Sequence, residues 1–430
     1  MNRLNIIHVT GTKGKGSTCA FVQSILLQYQ KRHGFPKKIG LYTSPHLKAV
    51  RERIQINGSP VSEELFAKYF YEVWDRMNTP SDDDSELLAN KPVYFRFLTL
   101  LCWHIFMAED VDTAIIEVGV GGEYDSTNII QAPTCTGISA LGIDHVGVLG
   151  DTVDKIAWHK AGIFKPHAPA FSVAQPASAV PVIKERAMAR NTTVTFVSVF
   201  PQLDGIRLGL AAKFQKDNAS LAISLAAAHL EKMGFKLPEL SIGLPDEFVD
   251  GLQTAKWPGR CDLRKVGQIE WCLDGAHTKE SILSAAEWFT SLPMEGKKTA
   301  LIFNQQTRDA PALLEILYNE LQRSNIHCDR AVFCTNKTYQ QSGYKADLVS
   351  ANADSNAVEQ LTVQKALAKK WSELDPTTSV EVASTIEGAL KIFEKDDFPQ
   401  TVLISGSLHL VGGALVVLED REQGMQFSRV

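Results

Sequence analysis

The sequence predicts an α/β protein with two parts: a phosphate-loop-containing domain with a mostly parallel sheet over residues 1–254, and a smaller Rossmann-like α/β domain over 255–430. Three observations carry this. Short apolar runs alternate with helical patterns from residue 1 to about 240, as strands and covering helices do. A glycine-rich loop joins the first apolar run to the first helical stretch. The Pro- and Gly-rich segment KLPELSIGLPDEFVDGLQTAKWPGR, residues 236–260, then separates that alternation from a second set of apolar runs.

Length and charge agree with such a fold. At ~150 residues per domain, 430 residues allow two or three domains and more than one buried core. Lys and Arg total 44 against 49 Asp and Glu, so the net charge of −5 argues against a general grip on nucleic acid or anionic lipid. A hydrophobic fraction of 44% with 22% charged residues is that of a folded chain. The longest near-apolar stretch, Phe97 to Ala108, contains Thr99 and His104 and falls short of the ~20 residues a spanning helix needs. Seven cysteines without CxxC spacing fit neither a zinc ribbon nor a disulfide framework, and a reducing compartment is the natural reading. The start, Met1 followed by the apolar run Leu4 to Val9, has no targeting-peptide pattern.

Taken in order, LNIIHV (4–9) reads as a buried strand that runs into TGTKGKGST, after which Val22, Ile25, Leu26 and Tyr29 recur at helical spacing. Strand, glycine loop and helix is the context in which backbone N–H groups converge on phosphate oxygens. Gly11, Gly14 and Gly16 let the backbone approach an anion, Lys15 can reach the β and γ phosphates, and Ser17 or Thr18 offers a hydroxyl for Mg²⁺. Gly16 separates Lys15 from Ser17, so this is not the common GxxxxGK[ST] string; Lys13 has a weaker claim, as a solvated loop lysine. In DTAIIEVGVGG (112–122) the apolar Ala114, Ile115 and Ile116 precede Glu117, a metal candidate whose plainer reading is a salt bridge. Two more loops follow apolar runs, one bearing Ser44 and His46, the other Asp144 and His145.

Further on, residues 217–233 are strongly helical. Beyond the linker, apolar runs at 269–273, 299–303, 331–334 and 401–404 alternate with helical segments at 279–290 and 310–323. In IEWCLDGAH a strand ends in Asp274 and His277. SDDDSE (81–86) reads as a solvated loop and residues 340–357 as a mobile one.

GTKGKGS, YTSPHL, EVGVGGEYDSTN, ALGIDHVGVLGDTVDKIAWHKAGIFK, WPGRCD, LDGAHT and SGSLHLVGG, in order from residue 8 to about 420, together resemble the folylpolyglutamate synthases of the eukaryotic kind, within the Mur ligase superfamily. The resemblance implies ATP-dependent addition of glutamate to the γ-carboxyl of the terminal glutamate that a reduced folate already carries, by way of an acyl phosphate. It implies metal ligands at Ser44, Glu117 and His145. It also implies a triphosphate held by Thr12, Lys13, Gly14, Lys15, Gly16 and Ser17, and further ATP contacts from Asn218, Arg260, Asp274 and His277. Lys15, Lys160, His145 and Arg260 would carry the catalytic roles. Lys160, in the KAGI motif, would be carbamylated, giving an anionic ligand for a second Mg²⁺, and K⁺ would be admitted beside them. His159 stands where many bacterial relatives have Glu. Tyr94, Phe95 and Phe97 are candidates to stack a pterin or to fill the core.

Reduced folate polyglutamate, L-glutamate and MgATP are the partners implied, with a monomeric enzyme, no nucleic acid and no membrane span. The family's N-terminal helical extension is expected to be absent. Cytoplasmic localisation follows, with a mitochondrial form if a further segment precedes Met1. Dihydrofolate synthase and a nucleotide-binding protein without catalysis stay open as alternatives.

Overall fold

The computed structural model describes residues 2–78, 91–306, 308–340 and 361–427. The acidic run 81–86 and residues 341–357 of the expected mobile loop lie outside them. The chain divides into two units, residues 1–46 with 51–256, and residues 47–50 with 257–430.

The first unit is built on a sheet of eight strands: β1 (Ile6–Thr10), β2 (Ile39–Tyr42), β3 (Ile54–Ile56), β4 (Ser59–Pro60), β5 (Thr113–Glu117), β6 (Cys135–Ile138), β7 (Ala170–Val173) and β8 (Val194–Val197). Their order is β4-β3-β2-β5-β1-β6-β7-β8, parallel except at β3 and β4. The apolar run expected at 4–9 becomes a strand only from Ile6, because Asn2–Leu4 forms a 3-10 turn and Asn5 takes a left-handed φ of 41°.

Central strands are covered on both faces and read as continuous apolar runs. Every residue of β1, β2, β5 and β6 is buried. The helix Lys15–His33 buries Phe21, Val22, Ile25, Leu26 and Tyr29 and ends at Gly34, whose φ of 71° returns its N–H to Gln30 O. Beside it, Gly251 of the helix Asp246–Thr254 would put a Cβ 2.6 Å from Ile25 Cα, so only glycine lets those backbones come so close.

Two buried histidines tie the sheet to its surroundings. Thr134 gives its proton to Ile6 O (3.0 Å) and therefore accepts from His229 Nδ1 (3.0 Å), while His229 Nε2 accepts from Thr113 (3.3 Å). Thr127 gives its proton to Asp125 (2.6 Å) and accepts from His8 Nε2 (2.9 Å). A neutral imidazole meets both demands, and burial holds His229 down at about 4 and His8 at about 3.

The second unit carries a six-stranded sheet: β9 (Asp262–Val266), β10 (Ile269–Leu273), β11 (Lys298–Phe303), β12 (Arg330–Cys334), β13 (Ser379–Ala383) and β14 (Gln400–Ser405), in the order β13-β12-β11-β14-β10-β9, with only β9 antiparallel. Its core joins Trp271 and Ile302 from the sheet to Phe393, Val411 and Leu415 from the helices Ile386–Phe393 and Leu408–Phe427. The helices read at 279–290 and 310–323 form as expected; Asp309 caps the second by accepting from Ala312 N.

All seven cysteines are buried and free. No helix among the described residues is long and apolar enough to cross a membrane.

Both buried histidines are expected to weaken the fold in acid. As pH falls from about 6.5 to about 4, the unfolded chain takes up protons at these sites and the native chain does not, so stability declines across that window. His229 alone should cost on the order of 3 kcal/mol at the acid end. Urea unfolding of His229→Gln between pH 7 and 4.5 should show a pH slope shallower by about one proton.

Candidate functional site

The loop after β1 is docked on the loop after β6. Gly11, at φ 151°, would place a Cβ 1.9 Å from Ser139 Oγ, so no other residue fits there. Thr12 and Lys13 both donate their N–H to Ala140 O at 3.0 Å, and Ser139 Oγ donates to Lys13 O at 2.6 Å. These two residues, read as nucleotide contacts, therefore spend their amides within the protein. Gly14 caps the helix at φ 85°, and Thr18 N–H makes the bond to Gly14 O at 2.8 Å. The amides of Lys15, Gly16 and Ser17 lie before that bond, at the positive end of a 19-residue helix.

Three chain segments meet at Glu117, the last residue of β5, which is only 3% exposed. Lys15 Nζ stands 4.0 Å from Oε1, and Ser44 N–H, just past β2, donates to Oε2 at 3.1 Å. His145 lies on an exposed turn at φ 50°, with its N–H on Asp144 Oδ1 at 2.9 Å. His46 accepts from Arg53 Nε at Nδ1, 2.9 Å away, which assigns it to the architecture of its loop. Among the described residues no group of three His, Cys, Asp or Glu side chains could hold a metal. A carboxylate with a hydroxyl and one imidazole still suits a hard divalent ion such as Mg²⁺, which takes few protein ligands and completes its shell with phosphate and water.

Lys160 ends the helix Val153–Lys160, 4% exposed, and donates Nζ to Gly11 O at 2.7 Å. Burial, with the charge of Lys15 nearby, lowers its amine to about 7. His159 beside it packs edge-on to Trp158 and Tyr124, and burial lowers its ring pKa. Of the aromatic candidates, Phe97 is core against Phe70, Phe95 is half-buried beside Tyr42, and Tyr94 is exposed under Arg53.

Asn218 sits on the helix Gln215–Lys232, buried, with Oδ1 only 2.1 Å from where a Cβ on Gly14 would be. Its amide donates to Gln215 Oε1 at 2.8 Å, and Gln215 Nε2 donates to Ser17 Oγ at 3.2 Å. Thr18 Oγ1, the other candidate hydroxyl, is buried without a hydrogen-bond partner.

In the second unit, Asp274 follows β10 and is buried. It accepts from Cys261 N–H at 2.9 Å, and Cys261 Sγ lies 3.5 Å from the same oxygen. Gly275 N–H bonds Gly259 O at 3.0 Å, and a Cβ on Gly275 would fall 2.6 Å from Arg260 Nη1. His277 donates Nδ1–H to Gly275 O at 2.8 Å, which in the neutral ring leaves Nε2 as the acceptor. Arg260, Asp274 and His277 are thus brought together.

The chain is 48% identical over 433 residues to the folylpolyglutamate synthase of Neurospora crassa, covering 97% of this chain and 82% of that relative. It belongs to the folylpolyglutamate synthase family. Residues 260–417 match the family described as dihydrofolate synthetase, C-terminal domain. Folylpolyglutamate synthase from Mycobacterium tuberculosis, solved with ADP and AMPPCP, superposes with a TM-score of 0.74 at 23% identity, covering 96% of this chain and 90% of that one. The bifunctional folylpolyglutamate/dihydrofolate synthase from Yersinia pestis, solved with AMPPNP and a Mn ion, gives 0.69 at 24%, over 96% and 89%. These two likenesses show that the two-unit α/β fold is that of folylpolyglutamate synthases.

Sequence reading passed over Gln215 and Ser139. Gln215 stood just outside the helix read at 217–233, and Ser139 carries no motif of its own. Gly14→Ala is expected to drive a methyl into Asn218 and strain a left-handed backbone, costing more than about 1–2 kcal/mol. Chemical denaturation of the variant measures it.

Proposed function

We propose that this chain catalyses the ATP-dependent addition of L-glutamate, through a γ-linked amide, to a tetrahydrofolate that already carries glutamate. The observation that carries the reading is the meeting of Lys15, Ser44 and Glu117 at the carboxyl ends of β1, β2 and β5, beside a helix N-terminus. Ligands of α/β sheets bind at such strand ends.

Amide formation from a carboxylate needs an activated acyl group. In the proposed sequence a γ-carboxylate oxygen on the folate attacks the γ-phosphorus of ATP. A new O–P bond forms, the bond to the β–γ bridging oxygen breaks, and ADP leaves. The neutral amine of incoming glutamate then attacks the acyl carbon. The C–N bond forms, the C–O bond to phosphate breaks, and the amine gives up a proton.

Both steps ask the protein for positioning and charge neutralisation rather than for a covalent nucleophile. Lys15 and the amides of residues 15–17 serve the triphosphate. Ser44, Glu117 and His145 are the residues that would hold Mg²⁺, which neutralises phosphate charge when bound. In the second unit, Arg260, Asp274 and His277 form a cluster of their own whose guanidinium suits an anion. Lys160, its amine lowered to about 7, is in good part neutral at pH 7–8, the form whose lone pair attacks CO₂; the N–C bond forms and one proton goes to solvent.

A second reading, synthesis of dihydrofolate from dihydropteroate, is favoured by the family match over residues 260–417. Competing the two acceptors in one assay, with products separated by mass, distinguishes them; glutamylated tetrahydrofolate as the only product supports the first.

Lys15→Ala should lower glutamate-dependent ADP formation about 10²–10³-fold, and wild-type turnover in this variant would overturn the role. For Lys160, native mass spectrometry of protein held in bicarbonate should show an increment of one CO₂ that Lys160→Ala lacks. Protein kept in CO₂-free buffer at pH 6 should lose it.

A further inference from the structure

We infer that Gln215 is a positioning residue for the phosphate loop, one that fixes the direction of the Ser17 hydroxyl. The inference rests on the nucleotide reading of that loop given above.

Gln215 is the first residue of the helix Gln215–Lys232 and is fully buried. A buried primary amide must satisfy its donors and its acceptor or lose the desolvation cost of each. Here Oε1 accepts from Asn218 Nδ2 at 2.8 Å, which leaves Nε2 to donate, and it donates to Ser17 Oγ at 3.2 Å. Asn218 Oδ1 faces Gly14, 2.1 Å from where a Cβ there would lie. In this relay Asn218 donates to Gln215, and Gln215 donates to Ser17.

A hydroxyl has one proton and two lone pairs. With one lone pair of Ser17 taken by the Gln215 amide, its proton and its second lone pair are left for groups at the helix N-terminus. An amide donor in that place orients the hydroxyl as donor toward an anion, whereas an acceptor there would turn its proton away. Thr18 Oγ1, the other candidate hydroxyl, is buried and has no hydrogen-bond partner that orients it. The same two residues also explain the glycine at position 14: any side chain there would displace Asn218 and release the relay.

The test uses the full chain, with MgAMPPNP affinity by calorimetry and the KM for MgATP as readouts. Gln215→Leu removes the donor at similar volume, and Gln215→Glu is isosteric but offers only acceptors when ionised. Both should weaken nucleotide binding about tenfold, with Glu the worse of the two, while the folate and glutamate KM values stay within about twofold. A double-mutant cycle with Ser17→Ala decides whether Gln215 acts through that hydroxyl: the tenfold effect of Gln215→Leu should shrink below about twofold in the Ser17→Ala background. Equal effects in both backgrounds, or unchanged affinity in Gln215→Leu and Gln215→Glu, would overturn the inference. Should Gln215→Leu fail to fold by thermal unfolding, Gln215→Glu carries the same cycle. If instead Lys15→Ala and Ser17→Ala both bind nucleotide like the wild type, the nucleotide reading of the loop fails first and takes this inference with it.

Discussion

The first unit is organised around a buried carboxylate. An ionised Glu117 at the end of a central strand would cost several kcal/mol if left alone. Lys15 and Ser44 N–H, contributed by the ends of two other strands, offset that cost. The pairing is loose at 4.0 Å, and a second lysine, Lys160, lies close enough to Lys15 for the two charges to repel. Asp144 and Asp125 also act on Lys160, so the two lysines sit among three carboxylates, and the helix N-terminus is the feature that a bound polyanion would meet. By linkage, the same polyanion would raise the Lys160 amine again, so anion binding and the neutral form of Lys160 oppose one another.

Loop geometry follows from the sheet order. β1 lies between β5 and β6, so the loops leaving its carboxyl end and theirs share one edge. Two of the loop's early amides are consumed by Ala140, which anchors the turn, and Gly11 permits the contact with Ser139 that closes it. What is left open is the helix start. A rigid anchor on one side and the first amides of a helix on the other is a way of paying for anion binding during folding rather than at the moment of binding.

Much of this was legible in the chain because it is local. The strand, loop and helix around Lys15, the isolated acid after Ala114–Ile116, and the strand ending in Asp274 are each written in consecutive residues. Helices 279–290 and 310–323 form at the residues read, since their apolar spacing and caps are local too. What stayed hidden depends on residues far apart. Gln215 meets Ser17 across nearly two hundred positions, and nothing in its own surroundings distinguishes it from a helix-surface amide. The use of the Thr12 and Lys13 amides was likewise invisible, because side-chain identity says nothing about where a backbone N–H points.

The second unit applies the same economy with the signs exchanged. Burial pushes the Asp274 carboxyl up, against the pull of Arg260 and of the Cys261 N–H. Cys261 itself holds a left-handed φ of 47°, strained for a residue with a Cβ, and the bond to Asp274 is what secures it. Arg260 immediately precedes that strained residue, and its guanidinium stabilises the same carboxylate by charge. Protonating Asp274 would weaken both the turn and the charge partner at once. Asp274 thus links the turn, through the Cys261 N–H, to the charge of Arg260.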